Sequence, residues 1–153
     1  MSARVVCLSV ALWLLGCVNE HALELDLVAA DPIPSEVVSY ELRLLALDGD
    51  GRCPTAQDAA AAAPVGRLAH AQSFSEVGMA IGEVPQGRWA FVVLGRDAAC
   101  GVRVHGCTAI EIGPETFTPI PVRISAVTDV SETCGSCRAC EAGVCAPVQS
   151  VCE

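Results

Sequence analysis

The sequence contains no lysine, few aromatic residues and no uncharged segment long enough to cross a membrane. Its nine cations are all arginine, and 18 acidic residues leave a net charge of −9. This acidic balance argues against binding nucleic acid or anionic lipid headgroups through a basic surface. With aromatic residues at only 4%, a stacking platform for carbohydrate is also not expected.

The motifs that mark common catalytic sites are missing as well. There is no P-loop, no G-x-G-x-x-G and no G-x-S-x-G elbow. The three histidines, His21, His70 and His105, have no nucleophile or second ligand beside them in the sequence. The segment DGDG at residues 48–51 lacks the later oxygen ligands of a calcium loop and predicts a turn. We therefore predict a non-enzymatic protein with no catalytic residue, no cofactor and no metal site.

The first 17 residues have the order of features that an export signal requires. Arg4 precedes an apolar run from Val5 to Leu15. Eleven residues are too few to span a bilayer core, which needs about 20, but they suit the apolar region of a signal peptide. No A-x-A cleavage site follows, and the run ends instead in LLGC, residues 14–17. The alternative is a short buried N-terminal helix that happens to contain a cysteine.

LLGC resembles the lipobox of bacterial lipoproteins, in which the cysteine is acylated and becomes the mature N-terminus. The resemblance implies a signal peptide over residues 1–16, lipid attachment at Cys17, and a lipid anchor and linker over residues 17–21. Val18 stands where lipoproteins retained in the inner membrane often carry aspartate, which points by analogy to the outer membrane. The expected location is the cell envelope. The expected partners are the membrane, through the acyl chains, and another envelope protein, but no nucleic acid.

Eight further cysteines follow Cys17. An even number of cysteines in an exported chain indicates a disulfide framework, because disulfides persist in oxidising compartments. The candidates for disulfide bonding are Cys53, Cys100, Cys107, Cys134, Cys137, Cys140, Cys145 and Cys152.

Four of these cysteines lie in CGSCRACEAGVCAP, residues 134–147. The spacing is one residue longer than the bacterial iron–sulfur run, and two C-x-x-C steps are also compatible with zinc. Export and the scarcity of large apolar residues after residue 128 favour disulfides, because crosslinks must offset chain entropy where burial cannot. A metal-binding or redox-active tail remains an alternative.

The cysteine count also predicts that the tail is docked. Five of the eight cysteines lie in the tail and three precede it, so complete internal pairing requires at least one bridge between the two parts. An exchange of Cys53 into the first pair is the alternative to the pairing that we predict: Cys100–Cys107, Cys53–Cys134, Cys137–Cys145 and Cys140–Cys152.

Alternation of apolar and polar residues dominates the chain between the signal and the tail, as in ALELDLVA and in GRWAFVVLG. A period of two predicts strands, whereas TAQDAAAAA at residues 55–63 predicts a short helix or an ordered loop. The expected fold is therefore all-β: an antiparallel sandwich of about seven strands over residues 22–127, with this insertion, and a small cysteine-rich disulfide tail over residues 128–153.

VPQGRWAFVVLG, residues 84–95, resembles a strand of prealbumin-like sandwiches, including carboxypeptidase-regulatory-like and Cna-B-type modules. The whole mature chain resembles uncharacterised lipoproteins of myxobacterial type, which implies a fold but no activity. We therefore expect a lipid-anchored envelope protein that serves as a binding or structural module. The alternatives are that the tail is an inhibitor-like or receptor-like knot on a sandwich stalk, or that it is the metal-binding or redox-active element.

Overall fold

A computed structural model describes residues 23–47, 51–61, 67–74, 80–82, 84–116, 119–128, 130, 134 and 138–147. For residues 67–74 it describes the backbone alone. Cys17, Cys137 and Cys152, and the predicted signal peptide, lie outside these residues. No helix within the described part is long and apolar enough to cross a membrane.

The described chain is mostly strand, as the alternating sequence predicts. In chain order the elements are β1 (Leu23–Ala29), β2 (Ser39–Ala46), α1 (Ala56–Ala60), β3 (Arg67–Phe74), β4 (Ala80–Gly82), β5 (Gly87–Arg96), β6 (Val102–Ile112), β7 (Ile120–Ala126), β8 (Arg138–Glu141) and β9 (Val144–Pro147). Strands β1 to β7 pair in the order β3-β2-β5-β6-β7-β1-β4, and β8 pairs with β9.

The predicted helix begins where its capping signal stands. Thr55 lies in extended conformation and its hydroxyl accepts a hydrogen bond from the Asp58 backbone N–H, so Thr55 is the N-cap of α1. The helix is short, with Ala59 and Ala60 buried.

The prediction that all strands are antiparallel is wrong at one pairing. β1 and β7 run parallel, with Leu25 opposite Ile120 and Leu27 opposite Val122. The tight turns that predict antiparallel pairing constrain only strands that follow one another closely. β1 and β7 are far apart in the chain, so no turn fixes their relative direction.

One face of the sheet holds the main hydrophobic core. Leu25 of β1, Leu42 of β2, Phe91 of β5 and Val122 of β7 belong to one buried cluster. Strands on both sides of β6 in the strand order therefore contribute to one core, and β1 to β7 form a single mixed sheet. Apolar burial of this kind contributes about 25 cal/mol per Å².

Loops and the C-terminal tail cover the opposite face of β2 and β5. A second buried cluster joins Leu45, Ala90 and Leu94 to Ala59 and Ala60 of α1. Val127 and Val130, which follow β7, pack against the same cluster. Strand β5 is therefore buried on both faces, which explains why Ala90, Val92 and Leu94 are apolar at the positions that alternate with its core residues.

The strand directions give the sheet two distinct ends. The first residues of β1 and β7 lie at one end, with the last residues of β6; this is the N-terminal end. The opposite end, here called the hairpin end, contains the last residues of β1, β5 and β7 and the first residues of β2 and β6. Seven residues of β1 separate the two ends by roughly 20 Å.

The tail contains a β-hairpin, here called the C-terminal hairpin (residues 138–147), that the sequence analysis did not predict. Its turn uses Ala142 and Gly143, both at positive φ (50° and 87°). Positive φ at both central residues is typical of the tight turns that match strand twist, and it explains the glycine in EAGV.

Gly106 of β6 should not tolerate a side chain. A Cβ there would lie 2.5 Å from the Arg123 carbonyl oxygen of β7 and 2.6 Å from the Ile124 side chain. We expect Gly106→Ala to lower the free energy of unfolding by about 1–3 kcal/mol through overpacking. Gly113→Ala is the control, since no atom of the described residues lies within 4 Å of a Cβ there. Urea unfolding of the oxidised protein measures both, and equal stability of the two variants would contradict the close β6–β7 contact.

Candidate functional site at the docked C-terminal hairpin

A buried carboxylate lies at the centre of the face that the tail covers. Glu41 is on β2 and is 3% exposed. Arg43 of β2 and Arg96 of β5 are also buried, and Arg138 of the C-terminal hairpin is partly buried beside them. These four residues are here called the Glu41 cluster.

Both oxygens of the Glu41 carboxylate are engaged by guanidinium groups. Arg43 Nε donates to Oε1 at 2.8 Å and Arg138 Nη1 donates to the same oxygen at 3.0 Å. Arg96 Nε donates to Oε2 at 2.9 Å, and its Nη2 lies 2.7 Å from that oxygen. One negative charge therefore holds three positive groups, and a buried charge that is paired and hydrogen-bonded in this way is tolerated.

Backbone carbonyls complete the coordination of the buried guanidiniums. Arg43 Nη1 donates to the carbonyls of Ala59 and Ala61, at the end of α1. Arg96 Nη1 donates to the Cys100 carbonyl at 2.8 Å. The Glu41 cluster thus ties together β2, β5, α1, the β5–β6 turn and the C-terminal hairpin.

The electrostatics of the Glu41 cluster favour the charged carboxylate. Burial by itself raises the pKa of Glu41, but the guanidiniums of Arg43 and Arg96 outweigh it and hold the pKa below its usual value of 4.5. Glu41 is therefore ionised at neutral pH, and its charge is needed to keep three guanidiniums together.

The β5–β6 turn is fixed by the Asp97 side chain. Its Oδ1 accepts the backbone N–H groups of Ala99 and Gly101, and Oδ2 accepts Arg103 Nε at 2.8 Å. Burial raises the pKa of Asp97, but these hydrogen bonds outweigh it and the pKa is lowered. Cys100, at the end of this turn, has a φ of 63°, which is unusual for a residue with a side chain.

The C-terminal hairpin lies on the sheet through contacts other than its salt bridge. Ser39 Oγ donates to the Gly143 carbonyl, 104 residues away in the chain. A Cβ on Gly143 would clash with the Val38 side chain, so only glycine permits this approach. Cys140 is joined to Cys100 of the β5–β6 turn. The expectation that the tail is docked is confirmed for the described residues.

The structure joins six of the candidate cysteines in three disulfide bonds: Cys53–Cys107, Cys100–Cys140 and Cys134–Cys145. The predicted pairs Cys100–Cys107, Cys53–Cys134, Cys137–Cys145 and Cys140–Cys152 are wrong, although the alternative that exchanges Cys53 into the first pair includes the observed Cys53–Cys107 bond. Cys137 and Cys152 themselves lie outside the described residues.

The error at Cys100–Cys107 has a geometric cause. Cys107 pairs opposite Val92 in the middle of β6, whereas Cys100 lies in the turn that precedes this strand. Seven residues of extended chain span roughly 20 Å, while a disulfide needs Cα atoms within about 7 Å. The loop after β2 crosses the same face as Cys107, and it brings the Cα of Cys53 to 5.9 Å from that of Cys107.

Two of the bonds lie side by side at the hairpin end. The Sγ atoms of Cys100, Cys134 and Cys145 are all within 4.8 Å of one another, and all three residues are buried. Cys140 is exposed and is the directly opposite neighbour of Cys145 across the C-terminal hairpin. We call these four residues the two-disulfide cluster. Three of its sulfurs come from the C-x-x-C-rich stretch, and the fourth, Cys100, comes from the β5–β6 turn.

His105 is the one histidine whose side chain the structure describes. It lies on β6, partly buried, and its Nε2 has no hydrogen-bond partner among the residues that the structure describes. Burial lowers the pKa of His105. No aspartate, glutamate or cysteine within the described part of the chain joins it in a candidate metal site.

A groove of about 670 Å³ lies at the N-terminal end of the sheet, around the β6–β7 connection. Apolar side chains of Ile110, Ile120 and Pro121 line it together with the polar groups of Glu111 and Glu115. It is widely open and lies far from both the Glu41 cluster and the two-disulfide cluster.

Sequence reasoning missed all four members of the Glu41 cluster. Ser39, Glu41 and Arg43 alternate with the core residues of β2, a pattern that usually indicates a solvent-facing side. A signal was present in β5, the strand that pairs with β2, because β5 is apolar on both faces between Trp89 and Leu94. A neighbour of such a strand is expected to be covered on both sides.

Comparison with known proteins assigns this chain to no family. No family model, curated protein or solved structure matches it. The resemblances to bacterial lipoproteins and to prealbumin-like sandwiches therefore stay predictions, and the function has to be argued from the arrangement of the described residues.

Replacing Glu41 tests whether its charge holds the hairpin face together. We expect Glu41→Gln to lower the free energy of unfolding by about 3–5 kcal/mol, because it leaves three guanidiniums without their buried counter-charge. Glu111→Gln is the matched control, since Glu111 is exposed on β6, and it should change stability by less than about 0.5 kcal/mol. Denaturant unfolding at neutral pH measures both variants.

The free energy of unfolding should decrease on acidification. The pKa of Glu41 is lowered in the folded protein, so its contribution is present above pH 4.5 and is lost as the pH falls below that value. Wild-type stability should therefore fall over this range more steeply than that of Glu41→Gln. Parallel curves for the two proteins would contradict the role assigned to the carboxylate.

Proposed function

We propose that this protein is a lipid-anchored component of the bacterial cell envelope, and that it works as a non-enzymatic binding module. The anchor is Cys17, by resemblance of LLGC to the lipobox, and the outer membrane is the proposed location. The sheet acts as a spacer and the C-terminal hairpin as the presented element. Another envelope protein is the proposed partner.

One observation carries this proposal: the chain enters the sheet at the end opposite to the C-terminal hairpin. Leu23, the first residue of β1, lies only six positions after Cys17. An acylated Cys17 would keep the N-terminal end of the sheet close to the lipid surface. The hairpin end would then lie roughly 20 Å further out, by the length of β1.

The rigidity of the hairpin supports a role in recognition. A disulfide, the Arg138–Glu41 ion pair and the Ser39–Gly143 hydrogen bond each tie it to the sheet. A surface held in its bound conformation loses little entropy on binding. Glu141 and Val144 flank the turn and are exposed, so they belong to the accessible surface of the hairpin.

Lipid attachment is tested by metabolic labelling with palmitate in a bacterial host. We expect wild-type protein to carry the label and to sediment with membranes, whereas Cys17→Ser should lose both properties. Cys7→Ser is the matched control. Cys7 lies within the predicted signal peptide, so its replacement should change neither the palmitate label nor sedimentation with membranes. Equal labelling of wild type and Cys17→Ser would refute the anchor.

Recognition by the C-terminal hairpin is tested by crosslinking in intact envelopes, followed by affinity isolation of the tagged protein. We expect Val144→Arg to abolish the crosslinked species that wild type forms, because it places a bulky charge on the exposed side of the hairpin. Glu115→Arg, which changes an exposed residue at the N-terminal end, should retain them. The reverse pattern would assign binding to the other end of the sheet.

A further inference from the structure

The four cysteines of the two-disulfide cluster differ in solvent exposure. Cys100 is fully buried, and Cys134 and Cys145 are 5% and 8% exposed. Cys140 alone is exposed. Thiol–disulfide exchange requires access of a thiolate to a sulfur atom. An incoming thiol therefore reaches this cluster at Cys140 Sγ.

Attack at Cys140 would leave Cys100 beside a second disulfide. A thiolate that bonds to Cys140 Sγ breaks the Cys100–Cys140 bond and releases the Cys100 thiolate. Its sulfur lies within 4.8 Å of both sulfurs of the Cys134–Cys145 bond. The released thiolate is therefore already close to the disulfide that it would attack in a second exchange.

The cluster does not depend on the Cys100–Cys140 bond to stay together. The Cys100 backbone is held by its N–H to the Asp97 carbonyl at 2.9 Å and by its carbonyl to Arg96 at 2.8 Å. The hairpin that carries Cys145 is held by Arg138 and by Gly143. Opening the bond thus leaves the released sulfur next to its neighbours.

We propose that the two-disulfide cluster captures small thiols by two consecutive exchanges. In the first, the thiolate of a low-molecular-weight thiol forms a mixed disulfide with Cys140, and the Cys100 thiolate leaves. In the second, the Cys100 thiolate attacks Cys145, forms a Cys100–Cys145 disulfide and releases Cys134 as a thiolate; attack at Cys134 would instead free Cys145, which lies opposite Cys140 and would expel the captured thiol. That thiolate takes up the proton lost by the incoming thiol.

The second exchange is what makes the site a trap. A mixed disulfide at an isolated bond reverses when the released thiolate attacks it again. Here the Cys100 thiolate bonds to Cys145, and the thiolate that remains is that of Cys134. Cys145, the neighbour opposite Cys140, stays bonded, so the mixed disulfide at Cys140 persists. This goes beyond the proposed binding role, because it assigns a chemical class of ligand, a thiol, to a defined sulfur.

Glutathione is the probe that tests this inference on the folded, oxidised full-length chain in detergent. After brief exposure, released thiols are alkylated, and non-reducing peptide mass spectrometry locates the glutathionyl group and the alkyl label. We expect glutathione on Cys140 and the label on Cys134. A label on Cys100 would show that no second exchange occurs, and a label on Cys145 would show that the exchange leaves a thiolate opposite the mixed disulfide; either result would overturn the proposal.

The Cys53–Cys107 bond is an internal control. Cys53 is exposed and Cys107 is partly buried, but neither belongs to the group of neighbouring sulfurs. If glutathione attacks Cys53, the released thiol and its alkyl label should be found on Cys107. After excess glutathione is removed, Cys53 should lose its glutathionyl group faster than Cys140 does. Equal persistence at Cys53 and Cys140 would contradict the trap.

Two variants extend the test. In Cys134→Ser/Cys145→Ser the label should move to Cys100, because the second bond is gone. In Cys137→Ser/Cys152→Ser the result should match wild type, and movement of the label to Cys100 there would assign the second exchange to the replaced cysteines. If the first variant does not fold, the wild-type label position still decides.

Discussion

The arrangement at the hairpin end depends on one buried carboxylate. Glu41 offers two oxygens to three guanidiniums that come from β2, β5 and the C-terminal hairpin. Desolvating charge is costly, so these groups are tolerable only while they remain together. The carboxylate therefore does more than stabilise one strand pair. Through Arg138 it also holds the tail in place, and the second face of the sheet is buried only while the tail is docked there.

The disulfides strengthen this arrangement and do not replace it. Cys53–Cys107 fastens the loop after β2 to the same face that α1 covers, and Cys100–Cys140 fastens the C-terminal hairpin. Each closes a long stretch of chain, and such crosslinks restrict mainly the unfolded state. The Glu41 cluster thus stabilises the folded state, whereas the disulfides mainly destabilise the unfolded state.

In the proposed function, the two ends of the sheet have different roles. The described chain enters at one end, and the hairpin with the two-disulfide cluster lies at the other. A tethered protein with this polarity holds its most crosslinked surface away from the tether. The same surface contains the exposed sulfur of Cys140, so recognition and thiol chemistry are proposed for the same end of the molecule.

Local conformation could be predicted from short stretches of sequence. The period of two in LELDLVA and in GRWAFVVLG predicted β1 and β5, Thr55 with Asp58 marked the start of α1, and the cysteine count required a bridge to the tail. The first two signals are local because backbone conformation depends on nearby side chains. The bridge to the tail follows from the odd number of cysteines in each part, and no spatial information is needed to predict it.

Contacts between distant segments could not be predicted in this way. The parallel β1–β7 pair, the burial of Glu41 and Arg43, and the partners of Cys53 and Cys100 all join residues distant in the chain. A charged residue that alternates with core positions has the same local pattern whether water or another segment covers it. Because the energy of burial and the reach of a disulfide depend on the covering segment, the sequence pattern of one strand could not predict them.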